Sequence, residues 1–210
     1  LAAQPSLIRI VNRAAIWLGT AQRISSLDDP APLAEAARDT IDFCRDELLA
    51  SHPWNFAVEN RTTAQVVGVD TDRYARAFER PADGLRFLPA RPDEDWGGFG
   101  VIEQGQYLLS DAPPPLKTRW IVRVEDPSRW SPGFTHSMSA ALAFEIFTVI
   151  TGSDAMSQKL AARLENAIRS GKRQDGMASG NRARLTARLS SWLGAREAGG
   201  REWQYGPPIV

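Results

Sequence analysis

Cysteine, histidine and lysine are scarce in this 210-residue chain. The single cysteine, Cys44, rules out an intramolecular disulfide and any cysteine-rich metal centre. Two histidines, His52 and His136, leave too few ligands for a zinc or di-iron site, so no metal or other cofactor is expected. Net charge is missing as well. Lys+Arg 25 balance Asp+Glu 25, and no global field draws the chain to nucleic acid or to an anionic membrane. Long apolar runs are absent too. The longest, around Ala140 to Ile150, contains Glu145 and is too short to cross a bilayer. No basic segment followed by an apolar one opens the sequence, so no secretory signal is expected. A Gly-rich phosphate loop, a GxSxG elbow, an HExxH pair and an EF-hand loop are all lacking.

What is present is arginine, and charge sorted along the chain. Lys117, Lys159 and Lys172 are the only lysines. Arginine makes bidentate contacts that lysine cannot, which suits an interface. From Asp28 to Glu59 eight acids face only Arg38 and Arg45. From Lys159 to Arg201 ten bases face only Glu165, Asp175 and Glu197. Such segments read either as solvated helix faces or as complementary surfaces within or between subunits.

Apolar spacing predicts four main helices. Ile8, Val11, Ala15 and Leu18 give a helix from Pro5 to Leu18, stopped by Gly19. Leu33, Ala37, Ile41, Cys44 and Leu48 form the stripe of a second, from Leu33 to Ala50, with Asp28 and Asp29 as natural caps before it. Phe134 to Thr151 is apolar nearly all round, the mark of a central helix. Met156, Leu160, Leu164, Ala167 and Ile168 stripe a fourth, and Asp175 to Asn181 reads as a joint. Between the pairs lie four to five strand-like runs: Phe56 to Val67, Leu85 to Pro89, Gly100 to Glu103, Tyr107 to Ser110 and Thr118 to Val124. The turn material between them includes a stiff run at Pro113 to Pro115. Arg182 to Leu193 reads as a short basic amphipathic helix, followed by a Gly/Pro-rich flexible tail.

The expected fold class is therefore α+β. An antiparallel bundle of about four helices carries an inserted antiparallel β unit, a short C-terminal basic helix and a flexible tail. The segments are 1–55 (helices one and two), 56–130 (β-rich), 131–178 (helices three and four) and 179–210 (C-terminal helix and tail).

Candidate chemistry is thin. "DEDWGG" at Asp93 to Gly98 lacks the alternating ligand spacing of a calcium loop and reads as a turn. His136 lies between Thr135 and Ser137 without a nucleophile elbow or an orienting acid, so a helix-capping place is expected. Glu145, inside the apolar helix, is expected to be buried and paired with an arginine. Cys44, on the apolar stripe, is a core residue. No enzymatic activity is expected. "HPWNFA", His52 to Ala57, reads as a junction. Pro53 stops the second helix, Trp54 and Phe56 pin the chain to the bundle, Asn55 suits the turn, and His52 bonds the last helix carbonyls.

A set of phrases in order carries a resemblance. "NRAAIWLG" at Asn12 to Gly19 is followed by "RDELLASHPWNFA" ending at Ala57. "YARAFERPADGLRFL" at Tyr74, "VEDPSRWSPGF" at Val124 and "ALAFEIFTVITGSDAMSQKLAARLENAIRSGKRQDG" from Ala141 to Gly176 complete it. Over about Pro5 to Gly176 the chain resembles the head-to-tail adaptor proteins of tailed phages. That family includes the tail tubular protein A of short-tailed phages, and related adaptors occur in gene transfer agents. The resemblance implies a ring of twelve copies beneath the portal vertex of a virion, assembled in the host cytoplasm. Implied partners are the portal protein, a tail or nozzle protein, further copies of the chain, and double-stranded DNA passing without sequence specificity; no membrane is involved. On that reading Asp39, Asp42 and Asp46 of one subunit are expected to face basic residues of the next, such as Arg163, Arg182, Arg184 or Arg188. Trp192, Trp203 and Tyr205 are expected anchors on the portal or a neighbour. The alternative is a nucleic-acid-binding or DNA-packaging accessory protein, with the basic helix on phosphate.

Overall fold

The computed structural model describes residues 6–71, 73–90, 98–150 and 154–178. Chain contacts divide it into two units, Leu1–Asp175 and Gly176–Val210. All described elements except the last three residues of the final helix belong to the first.

The fold is α+β. Among the described residues four helices, α1 (Leu7–Trp17), α2 (Pro32–Ala50), α3 (Pro132–Ile150) and α4 (Asp154–Ala178), flank a run of seven strands. The strands are β1 (Val58–Thr63), β2 (Gln65–Val66), β3 (Arg76–Glu79), β4 (Gly84–Leu88), β5 (Val101–Gln104), β6 (Tyr107–Ser110) and β7 (Leu116–Val122). Every pairing is antiparallel. They form two sheets, one ordered β1-β7-β4 and one ordered β2-β3-β6-β5.

Local physics explains the helix ends. Ser6, not Pro5, starts α1: its hydroxyl accepts from the Arg9 N–H. Gly19 follows the helix at φ 74, a conformation that penalises a Cβ. The expected caps of α2 are corrected. Its N-cap is Ala31, without a side-chain bond, and Pro32 fills the first position. Asp29 instead closes the preceding turn, accepting from the Ser25 and Ser26 N–H groups at 2.7 and 3.1 Å. Those bonds hold its carboxyl below the usual value. Ser131 caps α3, its hydroxyl accepting from the Phe134 N–H. His136, expected as a cap, lies a full turn further on.

α3 packs against both α1 and α2. It buries Phe134, Met138, Leu142, Ala143 and Ile146, which fits its apolar circumference. From α2 the stripe Leu33, Ala37, Ile41, Cys44 and Leu48 joins this core. Burial pushes the Cys44 thiol up to about 12, the behaviour of a packed side chain and not of a nucleophile. The β unit was expected with four to five strands. β3 is the unforeseen one, and the long Phe56 to Val67 run is split between two sheets. The proximal sheet sets β4 and β7 against α2. The β unit also enters and leaves at one point, for the Val122 N–H donates to the Ala57 carbonyl at 2.8 Å.

α3 and α4 cross closely through small residues. A Cβ on Gly171 would stand 2.9 Å from the Gly133 carbonyl oxygen and 2.9 Å from the Ser137 hydroxyl. Ser137 donates to the carbonyls of Gly133 and Ala167, at 2.9 and 3.1 Å, so the crossing is also hydrogen-bonded. α4 continues through Asp175 to Ala178, where the sequence suggested a joint. Gly152, Ser153 and the whole of 179–210 lie outside the described residues, as do 91–97 of the acidic Gly-rich turn.

Candidate functional site

The chain between α2 and β1 is held by several side-chain hydrogen bonds. Trp54 is fully buried, and its indole N–H donates to the Leu48 carbonyl at 2.9 Å, satisfying a carbonyl that the helix end leaves open. Ser51 donates to the same oxygen. The Trp54 ring meets Phe134 edge-on at 5.2 Å, and Phe134 in turn meets Phe56 and Trp130. Pro53 falls two residues beyond the C-cap Ser51, where it blocks continuation of α2.

Asp175 of α4 completes this junction. The Asn55 N–H donates to both carboxylate oxygens, at 3.1 and 3.2 Å. The Asn55 side-chain amide donates to the Asp175 carbonyl at 2.8 Å. His52 Nε2 lies 3.2 Å from the carboxylate, which makes it the donor. The His52 side chain therefore bonds an acid from the far end of the unit and not the last carbonyls of α2, one of which, Leu49, accepts from the His52 main-chain N–H at 3.5 Å. Burial outweighs that acid and holds the His52 pKa below its ordinary value. Asp175 has only 6 % of its surface exposed.

The acidic helix is more occupied than its composition suggested. Arg45 is buried and reaches Asp42 at 2.8 Å and Asp46 at 2.9 Å. Arg123, just after β7, takes the other oxygen of Asp46 at 2.6 Å, tying α2 to the β unit. Asp46 is thus an internal brace, paired within its own subunit. Asp39 and Glu47 are exposed and make no ion pair among the described residues. Phe43, one turn from each, is 64 % exposed.

A second cluster joins α1, α3 and α4. The guanidiniums of Arg13 and Arg163 lie over the Trp17 ring, at 5.2 and 4.8 Å from its centroid. His136 meets the same ring edge-on at 5.2 Å. Its Nδ1 accepts from Arg13 at 3.0 Å, which puts the proton on Nε2. Burial and the two guanidiniums hold the His136 pKa below its ordinary value. Neither arginine has a carboxylate partner among the described residues. Beside Arg13 runs a groove of about 640 Å³, lined by Ile10 and Ile16 of α1 and by Trp130, Pro132 and Thr135. Ile16 is 57 % exposed.

His136 thus faces arginine. The neighbouring hydroxyls of Ser137 and Ser139 donate to main-chain carbonyls. Glu145 is exposed on α3, which corrects its expected burial. Among the described residues no group of three His, Cys, Asp or Glu could hold a metal ion. No helix among them is long and apolar enough to cross a membrane. Arg182, Arg184, Arg188, Trp192, Trp203 and Tyr205 lie outside the described residues. Sequence reasoning missed Asp175, Arg13 and Trp17. Of these, only the aromatic at the end of α1 left a local signal, a large ring off the buried stripe.

No protein-family model matches the chain, and no curated protein matches it.

Proposed function

We propose that the chain is a structural head-to-tail adaptor of a tailed phage or a related particle, forming a ring under the portal vertex, extending the DNA channel and offering a platform for the tail. One observation carries this reading. Two phrases of the adaptor-like pattern, "HPWNFA" and "GKRQDG", stand 120 residues apart and build one joint, in which Asn55 and His52 hold Asp175. What resembles the adaptor family is thus the packed frame of the protein. The helix–β–helix order from α1 to α4 supports the same reading.

The test is electron microscopy of the purified chain mixed with the portal protein of the same particle. A ring seated on the portal is the expected result. A chain that leaves the portal bare, and gives a salt-dependent mobility shift with duplex DNA, would favour the packaging-accessory reading instead.

A further inference from the structure

Among the described residues two unlike faces stand without partners. On α2, Asp39, Phe43 and Glu47 stand at successive four-residue steps and so line one outward face. That face offers an exposed ring between two carboxylates without ion-pair partners among the described residues. On α1 and α4, Arg13 and Arg163 offer two guanidiniums without carboxylate partners among the described residues, on a Trp17 platform beside a groove edged by Ile16.

We propose that this groove receives the outward face of α2 from a second copy of the chain, Phe43 entering beside Ile16 while Asp39 and Glu47 meet Arg13 and Arg163. Charge complementarity names the occupant: each face supplies what the other lacks, both in charge and in unburied apolar surface. A free anion or a DNA phosphate would meet the guanidiniums but leave Ile16 and Phe43 in water. The two faces differ, so the contact is heterologous and each added copy presents a fresh face to the next. It deepens the ring reading and rests on it for closure. It replaces Asp46, which Arg123 holds, with Phe43 and Glu47.

Two full-length variants test it by sedimentation at low and moderate salt. Arg13→Glu/Arg163→Glu spoils the groove side, and Asp39→Arg/Phe43→Ser spoils the helix side. The wild type is expected to self-associate, more weakly as salt rises. Each variant alone should associate at least roughly tenfold more weakly, because like charges then face each other. Mixed in equal amounts, the variants should associate again, since each retains one intact face and the reversed charges on the two spoiled faces are opposite in sign. A mixture no better than its parts overturns the proposal, as does a wild type that stays monomeric. A photo-cross-linking phenylalanine at position 43 of the otherwise unchanged chain gives a second reading, should a variant fail to fold. Cross-links to α1 or the first half of α3 support the contact, and cross-links elsewhere overturn it. Portal binding with cross-links elsewhere sinks this contact and spares the adaptor reading. Association through it without portal binding does the reverse.

Discussion

At the scale of single residues, Asp175 clasps the frame. A carboxylate with 6 % exposure is tolerable because donors such as Asn55 and His52 reach it. Removing it takes both carboxylate acceptors from the Asn55 N–H as well. Asp175→Ala is therefore expected to cost about 3 kcal/mol, and Asp175→Asn less, because an acceptor remains. Urea unfolding of the two variants checks both the size and the order. Nothing near Asp175 in the sequence announces this role. A clasp that closes over 120 residues has no local period and no spacing rule, and a lone Asp before Gly looks like a turn. Glu145 misled for the opposite reason. Its neighbours are apolar, but its own position on the helix turns outward, and burial follows direction more than company.

At the scale of elements, the helices were legible and the sheets only partly so. The stripes on α1 and α2 repeat at helical spacing, and burial of Val11, Leu33 and Leu48 is the direct consequence. Tyr107–Ser110 was visible because turn residues bracket it. β3, Arg76–Glu79, was not, since four residues with a charge at each end alternate too briefly to stand out. The capping of α2 was misread because a cap depends on backbone angles that composition does not set, and Asp29 was engaged by Ser25 and Ser26. The α3–α4 crossing gives a sharper test. Alanine is the better helix former by about 1 kcal/mol, so Gly171→Ala should stabilise an exposed helix. Here the added Cβ meets the Gly133 carbonyl, Ser137 and the Trp54 ring, and overpacking wins. A net loss of about 1–2 kcal/mol is expected in thermal melts. A rise in melting temperature would show that the helices part freely.

At the scale of the whole molecule, acid sensitivity should trace to two side chains. The folded pKa values of His52 and His136 both lie below the ordinary 6.5. The unfolded chain therefore binds protons that the folded chain refuses as pH falls through that value. Stability is full above about pH 6.5 and declines below it. The depressed carboxyls of Asp29 and Asp126 act lower still, their contribution being lost only in the acid range below the usual carboxylate value. Between pH 7 and pH 5 the double variant His52→Gln/His136→Gln should thus flatten the fall in melting temperature. An unchanged slope would put the acid sensitivity elsewhere.

The hydrogen bond between Val122 and Ala57 has a wider consequence. It makes the seven-stranded excursion, from the helices' side, a loop whose ends already touch. Closing such a loop costs little more when it is long than when it is short. The turns between the strands can accordingly lengthen or shrink while the helices keep one geometry. An insertion in one of those turns is therefore expected to shift the melting temperature far less than an insertion of equal length inside a helix.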